Sequence, residues 1–158
     1  MPKAKSQREK IMNVYPLPKE QYGNFTHQVV ITAGDLTEAT AATAQVLAPI
    51  TVAPGVLVVN VAAKLVTPFQ DASDAALDTT TITVGDGAAA AAYLASMELN
   101  ENGTEIDYKA GTGTQKAYIV ADTIDVTVGA PNSGKALADV DTGEVHIFLQ
   151  LADLSVPT

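Results

Sequence analysis

Apolar and polar residues alternate with a period of two over several short windows, as in strands that give one face to a core and the other to solvent. The plainest window is residues 56 to 66, where Leu57, Val59, Val61, Ala63 and Leu65 share one face and Asn60, Ala62 and Lys64 the other. Ile82 and Val84 alternate with Thr79, Thr81 and Thr83, then meet Gly85-Asp86-Gly87, which predicts a turn because glycine tolerates positive φ. Tyr93, Ala95, Met97 and Leu99 make a further face. Asn102-Gly103, a favoured hairpin dipeptide, then leads into Ile106 and Tyr108. A second hairpin is predicted where Gln115 to Val120 meets Ile124, Val126 and Val128 across an Ala121-Asp122 break. In the last strand, Glu144 to Leu151, the residues Val145, Ile147, Leu149 and Leu151 should face inward and Glu144, His146, Phe148 and Gln150 outward. About seven to nine short strands with frequent turns predict an all-β domain, a β-sandwich or jelly-roll-like fold.

Some stretches do not follow this pattern. Asp35-Leu36-Thr37-Glu38 resembles a capping box ahead of an Ala-rich run to Gln45, but the threonines at 37, 40 and 43 weaken any helix there. Asp71 to Leu77 has the composition of a helical turn. Ala88 to Ala92 fits either a short helix or a small-residue loop packed on another subunit. From Ile11 to Phe25, Pro16 and Pro18 fix φ and block helix continuation, so the chain should run extended. Ile11, Met12, Val14, Tyr15 and Leu17 are too apolar for a tail that only solvates. The division expected is an extended N-terminal arm over residues 1–25 and a sandwich domain over residues 26–158.

Charge sharpens that division. Residues 1–19 carry Lys3, Lys5, Arg8, Lys10 and Lys19 against Glu9 alone, a net +4, whereas residues 20–158 carry four basic and seventeen acidic residues, a net −13. An acidic body repels nucleic acid, so any contact with phosphates would have to come from the arm alone, and no nucleic-acid partner is expected. The 158 residues suffice for one domain with a conventional core. The apolar fraction of 47% is mostly aliphatic, aromatic residues are only 5%, and Thr and Val favour pleated surfaces. Without cysteine the fold cannot rest on disulfides or thiolate metal sites. The first ten residues lack the apolar core of a secretory signal, and no stretch approaches the roughly 18 to 20 apolar residues of a helical span, so neither secretion by that route nor a membrane partner is expected. Asn24-Phe25-Thr26 and Asn102-Gly103-Thr104 match a glycosylation pattern but are read as turns.

The candidate chemistry is sparse. Gly129-Ala130-Pro131-Asn132-Ser133-Gly134-Lys135-Ala136 has the spacing of a phosphate-binding loop, yet Ala136 lacks the hydroxyl that would ligate magnesium. Only Leu137 to Val140 separate it from the Asp141-Thr142-Gly143 turn, too little for the helix whose N-terminus would face a phosphate. Asp139, Asp141 and Glu144 alternate as hard-cation ligands do but lack the remaining positions of a calcium loop, as do Asp71, Asp74 and Asp78. His27 and His146 are the only histidines, and no serine stands in a nucleophile elbow. No enzymatic activity, cofactor or metal site is therefore expected. Few aromatic rings argue against a sugar-binding face, and Phe148, on the outer face of the last strand, is read as a subunit contact.

The stretches Lys64-Leu-Val-Thr-Pro-Phe-Gln-Asp-Ala-Ser-Asp, Thr79-Thr-Thr-Ile-Thr-Val-Gly-Asp-Gly and Asp141-Thr-Gly-Glu-Val-His-Ile-Phe-Leu resemble the small head proteins of tailed bacteriophages, over roughly residues 35 to 152. That resemblance implies a capsid decoration, or cement, protein. Such a protein is made in the host cytoplasm and sits on the virion's outer capsid surface, bound to the major capsid protein, often as a homo-oligomer with a trimer favoured. On that reading Lys3, Lys5, Arg8, Lys10, Ile11, Met12, Val14, Tyr15 and Leu17 form the arm's interface with shell or neighbouring subunits. The alternative is a head-fibre or adhesion module that recognises a host-surface ligand.

Overall fold

The β-branched and aliphatic alternation does produce strands, and it produces almost nothing else. A computed structural model describes residues 13–18, 23–73, 80–100, 108–131 and 134–155. Its strands are β1 (Asn13–Pro16), β2 (His27–Thr32), β3 (Gln45–Val52), β4 (Val56–Gln70), β5 (Thr81–Asp86), β6 (Ala89–Glu98), β7 (Tyr108–Ala110), β8 (Lys116–Ala117), β9 (Asp122–Val128) and β10 (Thr142–Asp153). Two single 3-10 turns, Ala33–Asp35 and Leu137–Asp139, are the helical elements among the described residues, and none is long and apolar enough to cross a membrane. The first sheet has the order β1-β2-β10-β4-β7, with β8 also on β4. The second has the order β3-β9-β5-β6. Every pairing is antiparallel, and the two inner faces close on one core as a β-sandwich.

The first sheet gives that core Val29 and Ile31 from β2, Val145, Ile147 and Leu149 from β10, and Val58, Val61, Ala63, Leu65 and Phe69 from β4. The second gives Ile82, Val84, Leu94, Met97, Ile124, Val126 and Val128. Burying each of these side chains other than the smaller Ala63 contributes about 1.5–3 kcal/mol. The long strand β4 carries β7 and β8 one after the other on the same edge, at Ala62–Lys64 and at Leu57–Val58. Between them Gly111 donates to the Val61 carbonyl (2.8 Å) while Thr112 donates to the Tyr93 carbonyl of β6 (2.8 Å). Further along, Phe69 donates to the Leu99 carbonyl (2.8 Å) and the Asn100 side chain to the Phe69 carbonyl (2.7 Å). The sandwich is therefore laced shut along one side, where β4 meets β6.

The pattern-based expectations for the body succeed where alternation is unbroken. Ile82 and Val84 are fully buried, and Val145, Ile147 and Leu149 face inward as predicted, with Leu151 half-buried at the strand's end. They fail at bulges. In β4 the inward residues are Val58 and Val61, not Leu57 and Val59, because Gln150 opposes Asn60 while Leu151 opposes Val58, which leaves one extra residue on β4. The Asn60 side-chain carbonyl accepts the Val61 N–H (2.9 Å), at the point where the ladder is disrupted. In β6 a shift between Leu94 and Met97 buries Tyr93 and Leu94 together and turns Ala95 outward. The cap signal acts three residues early: Asp35 accepts from the Thr32 N–H (2.8 Å) and hydroxyl (2.9 Å) around a 3-10 turn, and no helix runs from 36 to 45.

Two predicted hairpins are instead crossings between sheets. Tyr108–Ala110 pairs with β4, so the chain changes sheets after β6; Asn102-Gly103 lies outside the described residues. Lys116–Ala117 also pairs with β4, whereas Asp122–Val128 enters the second sheet between β3 and β5, where both of its edges find partners. A hairpin would have given it one. The turn expected at Gly85-Asp86-Gly87 falls later, since Gly85 and Asp86 belong to β5 and the reversal is at Gly87-Ala88. Ala89 to Ala92 is the return strand, neither helix nor loop. For the 71–77 stretch, Asp71 to Ser73 form a turn and the rest lies outside the described residues. Strand pairing begins at Asn13, within the segment expected as an arm.

Close approach at Gly85 yields a test. A Cβ there would stand 1.9 Å from the Ala89 carbonyl oxygen and 2.6 Å from the Ala90 carbonyl carbon, both backbone atoms that cannot yield without opening the β5–β6 reversal. Gly85→Ala should cost about 3 kcal/mol of unfolding free energy, while Gly87→Ala, whose Cβ would meet nothing within 4 Å, should stay within about 0.5 kcal/mol. Urea denaturation of both variants checks the contrast.

Candidate functional site

The only buried acidic side chain among the described residues is Asp86, at the end of β5. A buried carboxylate must be supplied with donors to remain charged. Its Oδ1 accepts the N–H groups of Ala88 and Ala89, both at 3.0 Å. Its Oδ2 accepts Lys116 Nζ at 2.5 Å and the Tyr118 hydroxyl at 2.9 Å. The Tyr118 proton being given to Asp86, the Tyr93 hydroxyl donates to Tyr118 across 2.5 Å. Asp86 and Tyr93 belong to the second sheet, Lys116 to a strand of the first, and Tyr118 directly follows that strand. The cluster is an electrostatic bridge through the sandwich. Lys116 Nζ also lies 4.7 Å from the centroid of the Tyr118 ring.

Burial acts to raise the Asp86 carboxyl, but the bonds from Lys116, Tyr118, Ala89 and Ala88 outweigh it and hold the pKa down at about 2. Burial, then the bonds to Tyr93 and Asp86, push the Tyr118 hydroxyl well above its ordinary value, and burial raises Tyr93 as well. The Asp86 bond raises Lys116. Asp86 is thus a fixed anion and Lys116 a fixed cation through the neutral range, and neither tyrosine ionises there. All four groups are occupied with one another.

The outer face of the first sheet is a different kind of surface. The register aligns Tyr15, Gln28, Phe148, Ala62 and Ala110 in one row and Val30, His146, Lys64 and Tyr108 in the next. Phe148 is half-buried beside Phe25 (centroids 5.9 Å apart) and beside the His146 ring (6.3 Å). Phe25, Phe148, Tyr108 and the alanines of β4 and β7 line a shallow concavity of about 370 Å³ bordered by Lys64 and Lys109. Lys64 Nζ stands 5.5 Å from the Tyr108 ring centroid, and Lys109 donates to the Ser96 carbonyl (2.9 Å). His146 is held in the face by Gln28 (2.7 Å) and Glu144 (2.5 Å).

Of the residues nominated from sequence, Lys3, Lys5, Arg8, Lys10, Ile11 and Met12 lie outside the described residues. Val14 packs against this chain's own core, Tyr15 is 47% exposed on the outer face, and Leu17 is half-buried with its N–H donating to the Thr26 carbonyl (3.0 Å). The carboxylates of Asp139, Asp141 and Glu144 serve different partners: the Ala136 N–H, the Ala72 N–H and His146. No group of three metal-ligating side chains occurs among the described residues. The sequence does not single out Asp86, whose glycine neighbours signal a turn, and it does not connect Phe25 and Tyr108 with Phe148. The outward position of Phe148 is the available signal, but its companions come from β7 and the entry to β2, far away in sequence.

No protein-family model matches this chain, and no curated protein matches it. Among solved structures, a chain of "Acidic stable capsid structure of Helicobacter pylori bacteriophage KHP30" is similar at a TM-score of 0.45 and 13% identity, over 78% of this chain and 85% of that one.

The Asp86 bridge makes a signed prediction. Because its folded pKa of about 2 lies below the ordinary 3.8, its contribution is complete above pH 4 and is lost as pH falls toward 2, a change of about 2 kcal/mol. Asp86→Ala should cost about 3 kcal/mol or more at neutral pH by leaving its donors without an acceptor, and should flatten the acid limb of the stability profile. Tyr93→Phe, which removes one hydrogen bond, should cost about 1 kcal/mol and leave that limb in place. Thermal melts from pH 2 to 7 distinguish the three.

Proposed function

We propose that this chain is a structural, non-enzymatic virion protein: a decoration, or cement, subunit that binds the outer surface of an icosahedral phage capsid through the major capsid protein. The observation that carries the reading is the way the basic segment is mounted. Asn13–Pro16 is hydrogen-bonded to β2 as an edge strand, and Val14 is packed on the core, so residues 1–12 are joined directly to a sheet edge. They carry Lys3, Lys5, Arg8 and Lys10 beside Ile11 and Met12, against a net −13 over residues 20–158. A basic, apolar segment mounted in this way suits docking on acidic shell or subunit surfaces, and many identical sites on a shell would multiply weak single contacts. Asp86, Lys116, Tyr118 and Tyr93 are committed to one another in the internal bridge. Phe148 and its row supply a subunit contact, and a trimer is the favoured assembly.

One observation favours the second reading, an adhesion module. Phe25, Tyr108 and Phe148 together provide the ring-lined concavity that composition alone argued against, and such a surface suits a sugar or other host-surface ligand. Glycan binding by the isolated protein, abolished by Phe148→Ala, would favour it over the cement reading.

Deleting residues 1–12 tests the arm. The cut retains β1 and Val14, so the melting temperature should not change. Affinity for purified cognate shells should fall by roughly a hundredfold as measured by co-sedimentation. Unchanged shell occupancy would remove the arm from the account.

A further inference from the structure

At the end of the sandwich where β10 finishes, three chain segments meet in an apolar tip. Gly55 donates to the Tyr118 carbonyl (2.8 Å), and Leu154 donates to the Gly55 carbonyl (2.9 Å), so the loops 53–55, 118–121 and 154–155 are stitched together. Ile119 is 88% exposed, Val120 65% and Leu154 62%, half of the six large hydrophobics exposed among the described residues. Pro54 and Ala121 are exposed beside them. The segments 51–57, 117–123 and 152–155 contain Asp122 and Asp153 and no lysine or arginine, and neighbouring Lys116 is held by Asp86. Apolar side chains concentrated at one end of a soluble body mark an interaction surface.

We propose that this tip is the receptor for the N-terminal arm of a second copy of the chain. The inference rests on the arm-docking reading above and names the surface on which the arm docks. Charge selects the partner: an apolar surface bordered by aspartates matches a segment that combines Ile11 and Met12 with Lys3, Lys5, Arg8 and Lys10. The concavity at Phe148 has the opposite border, Lys64 and Lys109, and repels the same segment.

Reach makes the contact intermolecular. Asn13 opposes Val30, which opposes His146, and from there β10 runs on to Asp153, about 23 Å at roughly 3.3 Å per residue. Strands β1 and β10 run in the same direction, each antiparallel to β2, so the chain before Asn13 departs from the end opposite the tip. Ile11 and Met12 lie within roughly 7 Å of chain from Asn13 and cannot touch their own tip. They can touch another copy's. A contact between unlike surfaces of successive copies closes into a ring when the rotation permits, which accommodates a trimer.

Because the chain contains no cysteine, the contact can be trapped. Full-length Ile11→Cys and Val120→Cys proteins, mixed and oxidised, should give an 11-to-120 disulfide dimer severalfold more abundant than the 11-to-46 dimer from a Val46→Cys control, an exposed position on β3. High salt should reduce the yield by screening the arm. A yield equal to the control, or 11-to-11 and 120-to-120 dimers alone, would overturn the proposal. Shell binding that still depends on residues 1–12 while the 11-to-120 bond fails to form would reject the tip as receptor and leave the arm-docking reading standing. Loss of dependence on residues 1–12 would reject that reading itself.

Discussion

Placing a carboxylate inside a sandwich constrains everything near it, because a charge taken out of water must be surrounded by donors that do not move away. Asp86 draws two of its donors from the reversal after β5 and two from the segment around β8. The first pair forces the chain to turn back at Gly87-Ala88 with no room at Gly85 for a side chain. The second pair pulls Lys116 and Tyr118 inward from the first sheet and so fixes where the chain crosses to the second. With Tyr118 turned in and its backbone bonded to Val56 and Gly55, the next two residues, Ile119 and Val120, project into solvent. The internal bridge and the exposed tip are thus two consequences of one local geometry.

The parts of the fold legible in the sequence are those set by local periodicity. The alternation in β5 and in β10 assigns the inward faces correctly, since each runs several residues without an inserted position. Fold class follows, because such strands need opposed faces to bury. Bulges defeat the same reasoning: one additional residue near Asn60 exchanges the faces of Leu57 and Val59 with that of Val58, and nothing in a period-two count announces it. Topology is less legible still. Gln115 to Val120 looks like half of a hairpin because its neighbour in sequence is a strand, but the competition is won by the free edge of β4 and by the pull of Asp86 on Lys116 and Tyr118.

Candidate surfaces obey the same rule. An outward Phe148 follows from alternation, whereas its grouping with Phe25 and Tyr108 depends on β10, β4 and β7 lying side by side. Asp86 sits between two glycines, a context that signals a turn in any local reading, and its burial is a product of long-range pairing. The result is a body with two exterior surfaces of opposite character, a lysine-bordered aromatic concavity on one sheet and an aspartate-bordered apolar tip at one end.

The interior polar cluster is built as a clamp, since four donors converge on the Asp86 carboxylate and hold its pKa down. A catalytic acid or base is tuned toward the working pH, whereas a structural anion is driven away from it. The direct measurement is a carbon-detected NMR titration of the Asp86 side-chain carboxyl. A clamp requires a midpoint of about 2, well below the ordinary 3.8. A midpoint above 3.8, moving toward neutrality in a protein that remains folded, would contradict it.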